Sequence, residues 1–246
     1  MSSEPRNLRE LLRGAFGLYA GHGFKLLKIL LVFLIPIFFI NEFFWENQPL
    51  INQLIAQYSL KGFYLIDDAL NFIIILFAFL YFIAEIQYLR CALLHQTLGV
   101  WQAWRQAFGI FGDYLNVKIL FLIKVFLWSL VLIVPGIIFA VLYSFHSMAL
   151  LMDGKKGMEA LKFSKDLIKP HVFLYTGYLL VLLSSIFAFS YPLLFILDFL
   201  KEASPLWVEK ILSYLQVLAV GMVVNFGIVF YYVIYEELTR ILPDPI

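Results

Sequence analysis

Residues 115–152 read LNVKILFLIKVFLWSLVLIVPGIIFAVLYSFHSMALLM. As a single helix this run would far exceed the ~30 Å of hydrocarbon that about 20 helical residues cross. Pro135-Gly136 interrupts it. Proline restrains the residue before it and lacks a donor, and glycine accepts a tight reversal. The spacing therefore predicts two crossings, 115–134 and 136–152, that meet at this dipeptide. The second is short, so either it begins slightly before Pro135 or the local bilayer thins around it.

Four more apolar runs fall at 24–41, 70–91, 172–197 and 211–235. A chain of 246 residues that is 63% hydrophobic and only 14% charged cannot enclose its apolar surface in a water-facing domain. The fold class expected is an all-α integral membrane protein: six transmembrane helices as three helix pairs, each preceded by a short cytoplasmic-side amphipathic helix. Met1 to Leu12 carries Glu4, Arg6, Arg9 and Glu10 ahead of the first apolar run, which reads as a retained helix rather than a cleaved signal. The single Cys91 excludes an internal disulfide framework.

Basic residues set the expected orientation. Arg6, Arg9, Arg13, Lys25, Lys28, Arg90, Arg105, Lys118, Lys155, Lys156, Lys162, Lys165, Lys169 and Arg240 fall on one side of this plan. Lys61, Lys201 and Lys210 fall on the other, and Lys124 lies within a helix. The positive-inside rule then places both termini in the cytoplasm.

A phrase recurs 57 residues on. Ala92-Leu93-Leu94, Ala103, Arg105 and Pro135 return as Ala149-Leu150-Leu151, Ala160, Lys162 and Pro192. Pro135, Gly136 and Pro192 are the repeat turn positions. The single membrane domain, 1–246, divides into units at about 7–91, 100–152 and 157–235, with outer insertions at 41–69 and 198–210. In the first unit Leu8, Leu11, Leu12, Ala15, Phe16 and Tyr19 form an apolar stripe; Trp101, Trp104, Phe108 and Phe111 do so in the second. Each reads as a short interfacial helix of a cytoplasmic-side collar. Phe43, Phe44, Trp45, Leu50, Leu54, Ile55 and Tyr58 suit a further helix on the outer interface.

Polar residues inside the apolar runs are the candidate sites. Glu85 and Lys124 lie at similar depth by count, roughly 9 Å inside their expected helix ends. Three readings stay open: a structural ion pair, a lysine that snorkels beside a wet glutamate, or a proton or substrate relay. Asn225 with Gly221 and Gly227 reads as helix packing. Lys155, Lys156, Lys162, Lys165 and Lys169 either enforce topology or contact anionic lipid. Asp153 and Glu236-Glu237 read as solvated helix ends. The four histidines have no metal spacing, and no phosphate loop, serine elbow or metalloprotease signature is present. No cofactor, metal or nucleic-acid partner is expected.

The segments Val134-Pro135-Gly136-Ile137-Ile138 and Met148-Ala149-Leu150-Leu151-Met152-Asp153-Gly154-Lys155-Lys156-Gly157-Met158-Glu159-Ala160-Leu161-Lys162-Phe163-Ser164 carry a resemblance. They are similar to bacterial six-helix membrane proteins, the YciC-like inner-membrane family and the membrane domain fused to some glycerophosphodiester phosphodiesterases. Pro135-Gly136, Gly157, Ala160 and Ser164 match that outline. The resemblance covers about 40 residues and implies a bacterial plasma-membrane protein, without catalytic residues. The leading expectation is a non-enzymatic protein that binds or handles lipid or membrane-embedded cargo, in envelope homeostasis. The alternatives are a small transporter or permease subunit, and a membrane scaffold or immunity-type partner. Membrane lipids are the expected partners, with a membrane-protein partner or a second copy of the chain as the further ones.

Overall fold

The computed structural model describes residues 6–47, 49–50, 53, 62–202 and 204–241. Among these all regular structure is helical. The elements are α1 (Leu8–Glu46), α2 (Gly62–Leu93), α3 (Val100–Val131), α4 (Ile133–Leu142) and α5 (His146–Asp153), then α6 (Gly157–Ile168), a 3-10 turn (Lys169–His171), α7 (Val172–Glu202) and α8 (Leu206–Ile241). Five stretches are long and apolar enough to cross a membrane: Leu8–Ile40, Asp68–Leu93, Ile133–Asp153, Gly157–Lys201 and Trp207–Ile241. Of the expected outer interfacial helix, Phe43, Phe44 and Trp45 instead fall in the last turn of α1, and Leu54, Ile55 and Tyr58 lie outside the described residues.

The long helices pack in the order α1, α2, α3, α4, α7, α8, and α8 returns to α1. The seam between α4 and α7 is the slightest. Both ends of the described chain meet at one end of this ring, the near end. There the Arg6 backbone N–H donates to Glu237 Oε1 at 2.9 Å, and Arg240 holds the same carboxylate at 2.6 Å. Tyr178 donates to the Arg6 carbonyl at 3.0 Å. Glu237 is therefore not a solvated helix end: it is only 4% exposed and joins two arginines. Asn7 and Glu10 start α1 with a reciprocal capping box, each side chain accepting from the other's backbone N–H at 3.0 and 3.2 Å.

Three expectations about local structure are corrected. The chain does not reverse at Pro135-Gly136; it breaks at Leu132, extended at φ −160° and ψ 146°. Pro135 sits in the first turn of α4, where a missing N–H costs no helix bond. Gly136 serves the packing instead. A Cβ there would fall 2.2 Å from Ser129 Oγ and 2.9 Å from Ser129 Cα, and Trp128 stacks on Phe139 at 4.2 Å beside it. Pro192 likewise makes no turn, for it lies inside α7.

The expected collar of three separate helices is the second correction. Residues 8–19 are the start of α1 and 100–111 the start of α3, and of the three segments 157–168 alone stands apart as α6. Pro170, in the 3-10 turn that follows α6, accounts for the difference. Its counterpart 57 residues earlier is Asp113, which lets α3 run on unbroken.

The third correction concerns 136–152, which is not one crossing helix. It breaks at Tyr143-Ser144-Phe145 into α4 and α5. A break away from water must satisfy the backbone groups it frees. The Ser164 hydroxyl donates to the Leu142 carbonyl and accepts the Phe145 N–H, both at 3.0 Å. Tyr231 donates to the Ser144 carbonyl at 2.6 Å. The His146 N–H reaches the Tyr143 carbonyl at 3.1 Å. Gly154, at φ 68°, then closes α5, its N–H on the Leu150 carbonyl and that of Lys155 on Ala149.

Packing is uneven along the bundle. Buried residues span 11–34 in α1, 80–89 in α2, 103–117 in α3, 175–182 in α7 and 225–238 in α8, all toward the near end. Of the residues whose burial is described, none farther along any of these five helices is buried. The Gly136 approach supplies a test by thermal unfolding. Gly136→Ala should cost about 1–3 kcal/mol through overpacking against Ser129. Gly109→Ala, with nothing within 4 Å of the added carbon, should leave stability unchanged or raise it slightly.

Candidate functional site

A carboxyl wholly withdrawn from solvent in the near half is that of Glu85, 0% exposed on α2. Tyr81 lies four residues earlier, one turn away on the same face. Asn225 of α8, also 0% exposed, meets both. With its nitrogen turned inward, the Asn225 amide donates to the two Glu85 oxygens at 2.6 and 2.7 Å. The Tyr81 hydroxyl stands 2.6 Å from the amide.

Aromatic rings from α1 close the site. Phe33 stacks on Tyr81 with centroids 5.1 Å apart and planes 18° apart. Tyr19 meets Phe226 edge-on at 5.7 Å and reaches the Met222 carbonyl at 3.4 Å. Gly221 and Gly227 flank Asn225 on α8. A Cβ at Gly221 would lie 3.0 Å from Leu30 of α1, and one at Gly227 would lie 3.1 Å from Ile186 of α7. The two glycines thus let α8 approach α1 and α7, while Asn225 turns toward α2.

Glu85 and Lys124 are not brought together, which corrects the ion pair read from equal depth. That reading begins the third crossing at 115, but α3 starts at Val100. Tyr114 and Lys118 both stand over Phe79, at 5.6 and 5.7 Å. In this antiparallel register the level of Glu85 falls near residue 110 of α3. Lys124 is about 14 residues farther out, roughly 21 Å along the axis. It is half-exposed, and neither it nor Glu85 has an ion pair with a described residue.

The five lysines after α5 divide. Lys155 pairs with Glu159 at 2.8 Å, and Glu159 holds its ammonium above the usual lysine range. Lys156 pairs with Asp113 at 2.7 Å. Lys162, Lys165 and Lys169, at i, i+3 and i+7, have no ion pair with a described residue. They lie opposite the buried face of α6, formed by Ala160, Leu161, Ser164, Leu167 and Ile168. Met158 and Phe173, 49% and 92% exposed, flank them.

The histidines occupy separate places: His22 on Tyr88 at 2.8 Å, His146 stacked on Phe121 at 4.3 Å, and His95 and His171 elsewhere. Among the described residues no group of three or more His, Cys, Asp or Glu is placed to hold a metal ion. At the far end Glu42 of α1 bonds Lys210 and Tyr214 of α8, and Gln216 of α8 bonds Lys201 of α7. Tyr235 bonds Asp153 at the near end, so that aspartate too has a partner within the chain. Sequence reading singles out Asn225 but misses Tyr81, whose i, i+4 spacing from Glu85 was the available signal. It also misses Tyr231, for which no local signal exists.

Comparison with family models, with curated proteins and with solved structures gives no match for this chain.

The chemistry of the joint is that of a carboxyl withdrawn from water and held by neutral donors. Its stability rests on those donors, since unpaired polar groups are costly there. Asn225→Leu should destabilise the detergent-solubilised protein by about 1–3 kcal/mol. Lys124→Met should stay within about 0.5 kcal/mol of the parent. Unfolding midpoints of the two variants check the assignment, and the opposite ranking would restore the lysine as the partner of Glu85.

Proposed function

We propose that this chain is a non-enzymatic bacterial plasma-membrane protein that binds lipid or a lipid-like, membrane-embedded cargo. The observation that carries the reading is the uneven packing. The near half is closed and held by polar contacts, whereas the far half presents long apolar walls in which Gly136 is the one buried residue among those whose burial is described. Apolar chain surface of this kind suits acyl chains, which solvate it as well as other side chains do. The far-end ties Glu42 to Lys210 and Gln216 to Lys201 run within the group α1, α8, α7. Trp128 with Phe139 ties α3 to α4. We read these as two walls hinged at Glu85 and Asn225, with the thin α4–α7 seam as the lateral entry from the bilayer.

In this reading α3 is the sixth crossing, a 32-residue helix with Ile119, Leu122, Phe126, Leu127 and Leu130 exposed. The near end faces the cytoplasm, in line with its excess of lysine and arginine. The resemblance of residues 134–164 to YciC-like proteins accords with this placement. Ser164 and Gly157 of that outline have structural work here: Ser164 mends the break before α5, and Gly157 takes φ 52° at the start of α6.

Lys162, Lys165 and Lys169 supply the headgroup side of the interaction, their ammonium groups at the near-end boundary and Met158 and Phe173 beside them. A small transporter is the second reading, favoured by the broken helix at Tyr143-Ser144-Phe145 and by a buried carboxyl near the bundle centre. Native mass spectrometry from mixed phosphatidylglycerol and phosphatidylethanolamine nanodiscs tests the lipid reading. Retained lipid should be mainly anionic. Replacing Lys162, Lys165 and Lys169 by Gln should weaken that retention by roughly two orders of magnitude, at about 1 kcal/mol per basic group. Replacing Lys155 and Lys156 should have the smaller effect. Equal retention of both lipids by parent and variants would sink the proposal.

A further inference from the structure

We propose that the cavity between the end of α7 and the start of α8, at the far end, holds a second lipid headgroup, one that carries a primary ammonium. This deepens the lipid reading and rests on its membrane placement, but the site is remote from Lys162, Lys165 and Lys169. The cavity has a volume of about 510 Å³, in the range of small-molecule sites. Its described lining is polar throughout: Asp198 and Lys201 of α7, Ser204 of the connection and Glu209 near the start of α8.

That lining keeps unused hydrogen-bonding capacity of a definite kind. Lys201 donates to Asp198 Oδ1 at 3.2 Å and to Gln216 of α8. An ammonium has three hydrogens, so one remains. The Gln216 amide also donates to Asp198 Oδ1, at 3.3 Å, which leaves Oδ2 without a described partner. Ser204 gives its hydrogen to the Leu200 carbonyl at 2.6 Å and keeps a lone pair. Glu209 is exposed and has no ion pair with a described residue, because its neighbour Lys210 is engaged by Glu42 of α1.

Counted as charges, Asp198 is balanced by Lys201 and Glu209 is not. The cavity thus offers several acceptors, one spare donor and an excess of negative charge. An anionic headgroup would meet the unbalanced Glu209, whereas an ethanolamine phosphodiester complements the whole set. Its ammonium has three hydrogens for Glu209, Asp198 Oδ2 and Ser204 Oγ, and its bonds to the carboxylates are of the strong, charge-assisted kind. Its phosphate accepts the remaining hydrogen of Lys201. A choline headgroup has the same charges but no N–H to donate. The source is a lipid, since the same helix ends expose Phe199, Leu200 and Trp207, 66%, 43% and 68%. Tryptophan at the end of a span marks headgroup depth, and the three side chains give acyl chains a surface beside the cavity.

Native mass spectrometry of the full chain tests this in nanodiscs of equal phosphatidylethanolamine and phosphatidylcholine, matched in acyl chains and free of anionic lipid. The parent should retain phosphatidylethanolamine over phosphatidylcholine by about tenfold, the scale of one hydrogen bond to a charged group. Glu209→Gln, at an exposed side chain without a described ion pair, should fold and bring the two lipids close to equal retention. Asp198→Asn should lower the preference in part, and replacing Lys162, Lys165 and Lys169 by Gln should leave it at the parent value. In the mixed phosphatidylglycerol nanodiscs the site adds a single phosphatidylethanolamine per chain beside the anionic lipids. Equal retention of the two lipids by the parent, or a preference unchanged in Glu209→Gln, would overturn the site whatever the result with phosphatidylglycerol. Free phosphoethanolamine held as tightly as the lipid would overturn the lipid as its occupant.

Discussion

The contact of Glu85 and Tyr81 with Asn225 joins α2 to α8 where both pass beside α1, and the rest of the bundle is arranged around it. In a bilayer, apolar side chains gain little from one another that acyl chains do not also provide. Polar groups withdrawn from water have no such substitute and must pair within the chain. Hydrogen bonds, more than buried apolar area, then decide where helices are held tightly. The buried residues gather where those bonds are: at the joint, around the break before α5, and at the Arg6–Glu237–Arg240 cluster that ties the two ends of the described chain.

The break between α4 and α5 shows the same rule at work on the backbone. Its freed groups are taken up by Ser164 of α6 and Tyr231 of α8, and Tyr175 of α7 lies 2.8 Å from the Ser144 hydroxyl. Three other helices are thereby fastened to one turn. Among the described residues the far half has fewer such fasteners, chiefly Glu42 with Lys210 and Gln216 with Lys201, and no side chain whose burial is described is buried there. A closed, polar near half and an open, apolar far half follow from where the polar groups are.

The helical class was legible because it follows from hydropathy and length, which are local quantities. Asn225 stood out for the same reason, as an amide among apolar residues beside two glycines. The pairing of Glu85 was not legible. It depended on the axial register of α2 against α3, and that register moves once residues 100–114 are found to continue the crossing helix. The break at Tyr143-Ser144-Phe145 was equally hidden. No glycine or proline marks it, and its partners Ser164 and Tyr231 lie 19 and 87 residues from the groups they satisfy. Pro135-Gly136 misled in the opposite sense. Its turn chemistry was read as a reversal, whereas the glycine is required by the approach of Ser129 and the proline is tolerated in a first helical turn.

Distances between spin labels test the central claim of two helix groups joined at a polar near half. In a Cys91→Ser background in nanodiscs, one pair of labels at Arg13 and Arg105 reports on the near end. A second pair at Phe39 and Phe126, both strongly exposed, reports on the far end. The account predicts a narrow distance distribution for the near pair and a broad one for the far pair. A far-end distribution as narrow as the near-end one would contradict it.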